Sequence, residues 1–149
     1  MCRVGHVFAK RLLRESGGIM GGELAGHYYF RENYCCDSAF VAALVLLSVL
    51  SAGRRPLSEE IAGIGRYAFS GEINFALPEG ARIVEAVRRE FPEGKLTDLD
   101  GIRIDFPSWW FNLRTSNTEP LLRLVVEART PAELSVRVRE VTNRIEQYS

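Results

Sequence analysis

Residues 109–127 constrain the fold more than any other stretch. Two apolar runs, Trp109-Trp110-Phe111-Asn112-Leu113 and Leu121-Leu122-Arg123-Leu124-Val125-Val126-Glu127, bracket a loop composed almost wholly of hydrogen-bond donors. Short runs rich in aromatic and branched residues favour strands, and two of them joined through a polar turn form an antiparallel pair. Within the loop, Arg114 contributes a permanent charge, Ser116 and Thr118 contribute hydroxyls, and Asn117 contributes an amide. A planar guanidinium fork matches two oxygens of a phosphate, and neutral donors can satisfy the remainder. The loop therefore suits a phosphate monoester.

Composition makes any such anion site local. The 19 basic and 19 acidic residues leave a formal net charge of +0, so no overall field draws nucleic acid or anionic lipid. A chain of 149 residues that is 46% hydrophobic and 26% charged is an ordinary globular one, able to bury one core or two small ones. Cys2, Cys35 and Cys36 form neither a disulfide framework nor spaced metal-ligand pairs, so a reducing, cytoplasmic setting is expected. The most apolar stretch, residues 39–50, falls short of the roughly 20 residues that cross a bilayer and reads as a buried helix. The N-terminus lacks the charged, apolar and small-residue regions of a signal peptide.

The pattern of elements changes near residue 70. Residues 6–15 have the spacing of a basic amphipathic helix ended by Gly17-Gly18, and three glycines between positions 21 and 26 permit a tight turn before the strand-like Tyr28-Tyr29-Phe30. Asp37 or Ser38 can cap the apolar helix, Gly53 closes it, and a short helix follows Pro56. Residues 66–71 read as a connector. Strands are then expected at 72–75, 95–99, 102–106, 109–113 and 121–127, with helices at 78–90 and 131–147. The last helix places Leu134, Val138, Val141 and Ile145 on one face. This order implies a small antiparallel sheet with helices packed on one side.

On these residues the chain resembles the alpha-D-phosphohexomutases, the phosphoglucomutase and phosphomannomutase enzymes. Gly22-Glu23-Leu24-Ala25-Gly26-His27 is similar to their sugar-binding loop and Arg114-Thr115-Ser116-Asn117-Thr118-Glu119-Pro120 to their phosphate-binding loop, in the same order. Val4-Gly5-His6-Val7-Phe8-Ala9-Lys10 resembles the segment ahead of the sugar loop, where a histidine points into the active site. The resemblance covers about the last third of such an enzyme. It implies that residues 1–70 are the C-terminal portion of a mixed α/β sugar-binding domain. Residues 71–149 would then be an α+β domain like the TATA-binding protein, with a small antiparallel sheet and helices on one side.

The resemblance also implies roles. Arg114, Ser116, Asn117 and Thr118 would grip whichever phosphate is not reacting while a phosphoryl group passes between hexose 1- and 6-phosphate. Glu23 would accept hydrogen bonds from sugar hydroxyls, Lys10 would offset phosphate charge, His6 would assist proton transfer and His27 would brace its loop. Ala25 stands where the family often has serine, which leaves glucose or mannose preference open. Neither the serine loop that carries the phosphoryl group nor the aspartate-rich magnesium loop has a counterpart here. The chain alone is therefore expected to be inactive, with no cofactor of its own and with magnesium held by the missing N-terminal mutase domains. Exposed apolar faces and self-association are expected in the first half.

Other features have plainer readings. Asp98-Leu99-Asp100-Gly101 resembles an acidic metal loop, yet Asp-Gly between strand-like runs is a hairpin signal, and no metal ligand set is assigned. Trp109 and Trp110 face opposite sides of a strand, and the Arg54-Arg55 and Arg88-Arg89 pairs read as solvated faces. A non-catalytic sugar-phosphate-binding module and a protein-interaction module are the alternative functions.

Overall fold

The computed structural model of the chain describes residues 1–149 apart from Arg66, Asn117 and Thr118. Two compact units are present, Met1–Ile64 and Gly65–Ser149, the first a small α/β arrangement and the second an open sheet carrying helices.

The first unit runs α1 (His6–Glu15), β1 (Met20–Gly22), β2 (Tyr28–Phe30), a 3-10 turn (Arg31–Asn33), β3 (Cys36–Asp37), α2 (Ala39–Ala52) and α3 (Leu57–Ile64). Its three strands are antiparallel in the order β1-β2-β3, with Tyr29 paired to Asp37. The β1–β2 turn closes through Glu23 N–H donating to the His27 carbonyl (2.9 Å) and Gly26 N–H donating to the Glu23 carbonyl (3.0 Å). Gly26 adopts φ 87°, a left-handed conformation that costs glycine little. Leu13 of α1 packs with Tyr29 and Cys35 in a small core, which holds α1 on the sheet.

The structure corrects the expectation of a buried helix at residues 39–50. Ser38 Oγ accepts the Val41 N–H and caps α2, but no residue of α2 is buried, and Phe40, Leu44 and Val49 are 86%, 67% and 61% exposed. The physical reason is geometric. A helix apolar around its whole circumference needs cover on every side, whereas this unit has three strands of two or three residues to offer. Among the described residues no single helix is long and apolar enough to cross a membrane, and α2 and α3 are bent from each other by 101°.

The second unit runs β4 (Ala68–Phe75), α4 (Gly80–Glu90), β5 (Lys95–Thr97), β6 (Ile102–Asp105), β7 (Trp109–Thr115), β8 (Leu122–Ala128) and α5 (Pro131–Gln147). Its antiparallel sheet has the order β4-β8-β7-β6-β5. Alternate residues Ile102 and Ile104, Trp109, Phe111 and Leu113, and Leu122, Leu124 and Val126 share one core with Ile83 and Val87 of α4 and Val141 and Ile145 of α5. Both helices therefore cover the same sheet face. The other face carries Arg103, Trp110, Asn112, Arg114 and Arg123, and the Arg103 guanidinium lies 3.9 Å from the Trp110 ring centre.

One boundary differs from the sequence reading. The connector assigned to residues 66–71 is partly strand, because β4 begins at Ala68 and crosses a bulge between Phe69 and Glu72. Gly71 takes φ 70° there, and Ser70 Oγ accepts the Val126 N–H at 2.9 Å. A bulge breaks the two-residue alternation by which a strand is recognised, so this half of β4 left no periodic signal.

Candidate functional site

In the first unit, three separate segments bring His6, His27 and Asp37 together. His6 opens α1, His27 leads into β2, and Asp37 ends β3, so the helix packed on the sheet fixes all three. His27 Nδ1 lies 3.0 Å from one Asp37 carboxylate oxygen and His6 Nδ1 lies 3.5 Å from the other. The imidazoles meet edge to face with ring centres 4.5 Å apart, and His6 also rests against the Tyr29 ring at 5.7 Å. Tyr29 is fully buried, and its hydroxyl donates to the Glu23 carboxylate, which ties the turn that resembles a sugar loop to the histidine pair. Lys10 follows one turn after His6 on α1.

These contacts set the pH response of this unit. The hydrogen bond from His27 holds the Asp37 carboxyl below the usual carboxylate range against partial burial, with His6 adding charge attraction. Stability from a depressed carboxylate is present above its ordinary value and is lost as pH falls through the folded one. Burial, followed by the bond to Glu23, pushes the Tyr29 phenol up. Its contribution is complete below the ordinary tyrosine value, about 10, and declines as pH rises beyond it. The expected result is loss of unit stability at both extremes, read as the urea midpoint of the first unit's backbone amide resonances. Asp37→Asn should flatten the acid limb and Tyr29→Phe the alkaline limb; unchanged limbs would disprove these assignments.

In the second unit, the β7–β8 register places Arg114 directly opposite Arg123 on the sheet face away from the helices. Glu72 bridges them, 3.2 Å from Arg114 through one oxygen and 3.2 Å from Arg123 through the other. Asp100 stands 4.0 Å from Arg114, and Glu119 accepts a 2.6 Å bond from Arg123. The Arg123 Nε donor is buried without a hydrogen-bond partner among the described residues. Ser116 Oγ accepts the Glu119 N–H at 3.3 Å, and the Ser116 N–H donates to the Leu121 carbonyl at 2.8 Å, closing the loop base. The roles expected of Asn117 and Thr118 concern residues outside those described.

A family model described as phosphoglucomutase/phosphomannomutase, alpha/beta/alpha domain III, matches residues 1–67, and the model of the C-terminal domain of the same proteins matches residues 72–144. The chain belongs to the phosphoglucomutase/phosphomannomutase family. A phosphomannomutase of Methanocaldococcus jannaschii is 41% identical over 143 residues, covering 96% of this chain and 32% of that protein. A phosphomannomutase of Vibrio cholerae is 38% identical over 150 residues, covering 97% and 32%. The chain thus spans about a third of the curated relatives it matches. A crystal structure of a phosphoglucomutase/phosphomannomutase family protein from Burkholderia thailandensis superposes with a TM-score of 0.82 at 27% identity, covering 97% of this chain and 31% of that one. The fold expected from the sequence, a mixed α/β part followed by an antiparallel sheet with helices, is therefore that of the phosphohexomutases.

Sequence reasoning missed three residues of this mutase-family chain. Asp37 was read only as a helix cap, and its ten-residue separation from His27 carries no helix or strand period. Glu72 reaches the arginines only because β4 pairs with β8. Arg123 did leave a signal, since it is the charged residue within an apolar strand and counting back from the hairpin loop sets it against Arg114.

Proposed function

We propose that this chain is the sugar- and phosphate-binding C-terminal part of a mutase that moves a phosphoryl group between the 1- and 6-positions of a hexose phosphate. The observation that carries this reading is the cross-strand pair of arginines, Arg114 and Arg123, both bound to Glu72 and flanking a loop whose sequence resembles the family's phosphate grip. Arg114 and Ser116, with Asn117 and Thr118, take the phosphate that is not reacting. Glu23 receives sugar hydroxyls and Lys10 offsets phosphate charge. When Nδ1–H of an imidazole donates to a carboxylate, its Nε2 is left as a proton acceptor. Either His6 or His27 can carry the proton of the sugar hydroxyl, and the closer bond to Asp37 favours His27 as the better-oriented base.

The phosphoryl-carrying serine and the magnesium ion belong, in this reading, to the N-terminal domains, so the chain alone binds without turnover. The group of described residues able to hold a metal, His6, His27 and Asp37, is mostly nitrogen and does not fit magnesium, which prefers six oxygens.

Titration with glucose 1-phosphate and mannose 1-phosphate, followed by NMR of the Arg114 guanidinium and the residues flanking Glu23, tests the reading. Saturable shifts in both sets are expected. Silence of Arg114 toward every hexose phosphate would favour a protein-interaction module instead. The exposed face of α2 further supports self-association of the first unit when the other domains are absent. Light scattering should show mass rising with concentration, and Leu44→Glu with Leu47→Glu should abolish the rise; a concentration-independent monomer would disprove it.

A further inference from the structure

We propose that His6, His27 and Asp37 form a binding site for a divalent transition-metal ion of the zinc class. Their ligand atoms all lie within 4.8 Å of one another, and the two imidazoles present Nδ1 to opposite oxygens of one carboxylate. A tetrahedral ion with bonds of about 2.0–2.2 Å separates neighbouring ligand atoms by roughly 3.3–3.6 Å. Of the nitrogen-to-oxygen distances here, 3.5 Å falls within that spacing and 3.0 Å just below it, each to a different oxygen of Asp37, so an ion would have to widen the His27 contact.

Donor chemistry selects the ion. Two imidazoles and one carboxylate favour zinc, cobalt, nickel or copper over magnesium or calcium. The ligands come from a helix start, a strand entry and a strand end that are packed together, which holds them before any ion arrives. The side chains of His6 and His27 remain 49% and 41% exposed, which gives an ion entry and leaves a fourth position for water. An ion held by both Nδ1 atoms places the ring proton of each imidazole on Nε2. That shift removes the Nε2 acceptor, so an occupying ion would block the proton transfer proposed above. This consequence rests on that reading; the binding site does not.

Cobalt(II) is the probe, because its visible bands report coordination and a near-ultraviolet thiolate band would betray the cysteines. The full chain is titrated after its fold is checked by circular dichroism. One-to-one binding with visible bands and no thiolate band is expected. His27→Gln and Asp37→Asn should each weaken it by about tenfold or more, the scale on which even supporting residues of metal sites act. A double Cys2→Ser, Cys36→Ser variant should bind as the parent does. Equal affinity in His27→Gln, or loss of the signal in the cysteine variant, would overturn the proposal. Should a substituted protein unfold, imidazole NMR shifts of the parent on adding zinc decide: unmoved His6 and His27 resonances reject the site. Because no sugar is present, failure here leaves the hexose-phosphate reading intact.

Discussion

Replacing Arg114 by methionine is expected to weaken glucose 1-phosphate binding by one to two powers of ten. A hydrogen bond to a charged group is worth roughly 1.5–3 kcal/mol, and each 1.4 kcal/mol is about a tenfold change in affinity. The guanidinium is asked to do two things at once, since in the proposed reading it meets the phosphate while it also neutralises Glu72 and Asp100. Without it, three carboxylates, Glu72, Asp100 and Glu119, are left with Arg123 as the remaining guanidinium of the group, and an approaching dianion meets net repulsion. Lysine at the same position keeps the charge and loses the planar fork, so Arg114→Lys should recover only part of the affinity. Calorimetry at fixed low salt gives the ratio, and a urea midpoint measured alongside shows whether the sheet survives. A methionine variant that binds like the parent would remove Arg114 from the site.

The second large effect is structural and lies directly beneath the first. Gly101 ends the turn between β5 and β6 with φ 66°, across from Arg114. A Cβ added there would stand 2.6 Å from Arg114 Cβ and 2.7 Å from Arg114 Cα, and nearer still to the Leu113 carbonyl oxygen. The left-handed backbone costs any other residue about 1–2 kcal/mol, and the overlap with backbone atoms forces a shift costing about 1–3 kcal/mol more. Gly101→Ala should therefore destabilise the second unit by roughly 2–5 kcal/mol. The shift also has a direction that bears on function. Asn112 Nδ2 clasps the Asp100 and Ile102 carbonyls at 3.0 and 3.1 Å, so moving the turn moves the backbone that carries the Asp100 carboxylate beside Arg114. Urea unfolding followed by Trp109 fluorescence, together with the Arg114 guanidinium resonance, should change together. A variant as stable as the parent would show that the turn relaxes freely.

Much of the second unit was legible because its elements announce themselves locally. The alternation in β7 and β8, the Asp-Gly turn, and Pro131 at the start of a helical period each need only a few neighbouring residues. Thr130, which the sequence reading did not single out, caps α5 by accepting the Glu133 N–H at 3.2 Å. The bulge in β4 hid its first half, since the extra residue reverses which positions face the core. The reading of α2 went wrong for a different reason. Apolar composition records what a helix needs, while burial depends on what surrounds it, and this chain supplies little.

From the sequence alone came the kinds of chemistry on offer: a guanidinium with hydroxyls in one loop, a carboxylate between glycines in another, two histidines, and the periods that make strands and helices. Such patterns act over one or two turns of chain, the range within which side-chain spacing is set by backbone geometry. Tertiary structure decided the partnerships. Asp37 joins His6 and His27 across three segments, and Glu72 joins Arg114 and Arg123 across three strands, distances along the chain over which no local period extends. Only packing α1 on its sheet and pairing β4 with β8 brings these charges within reach of one another.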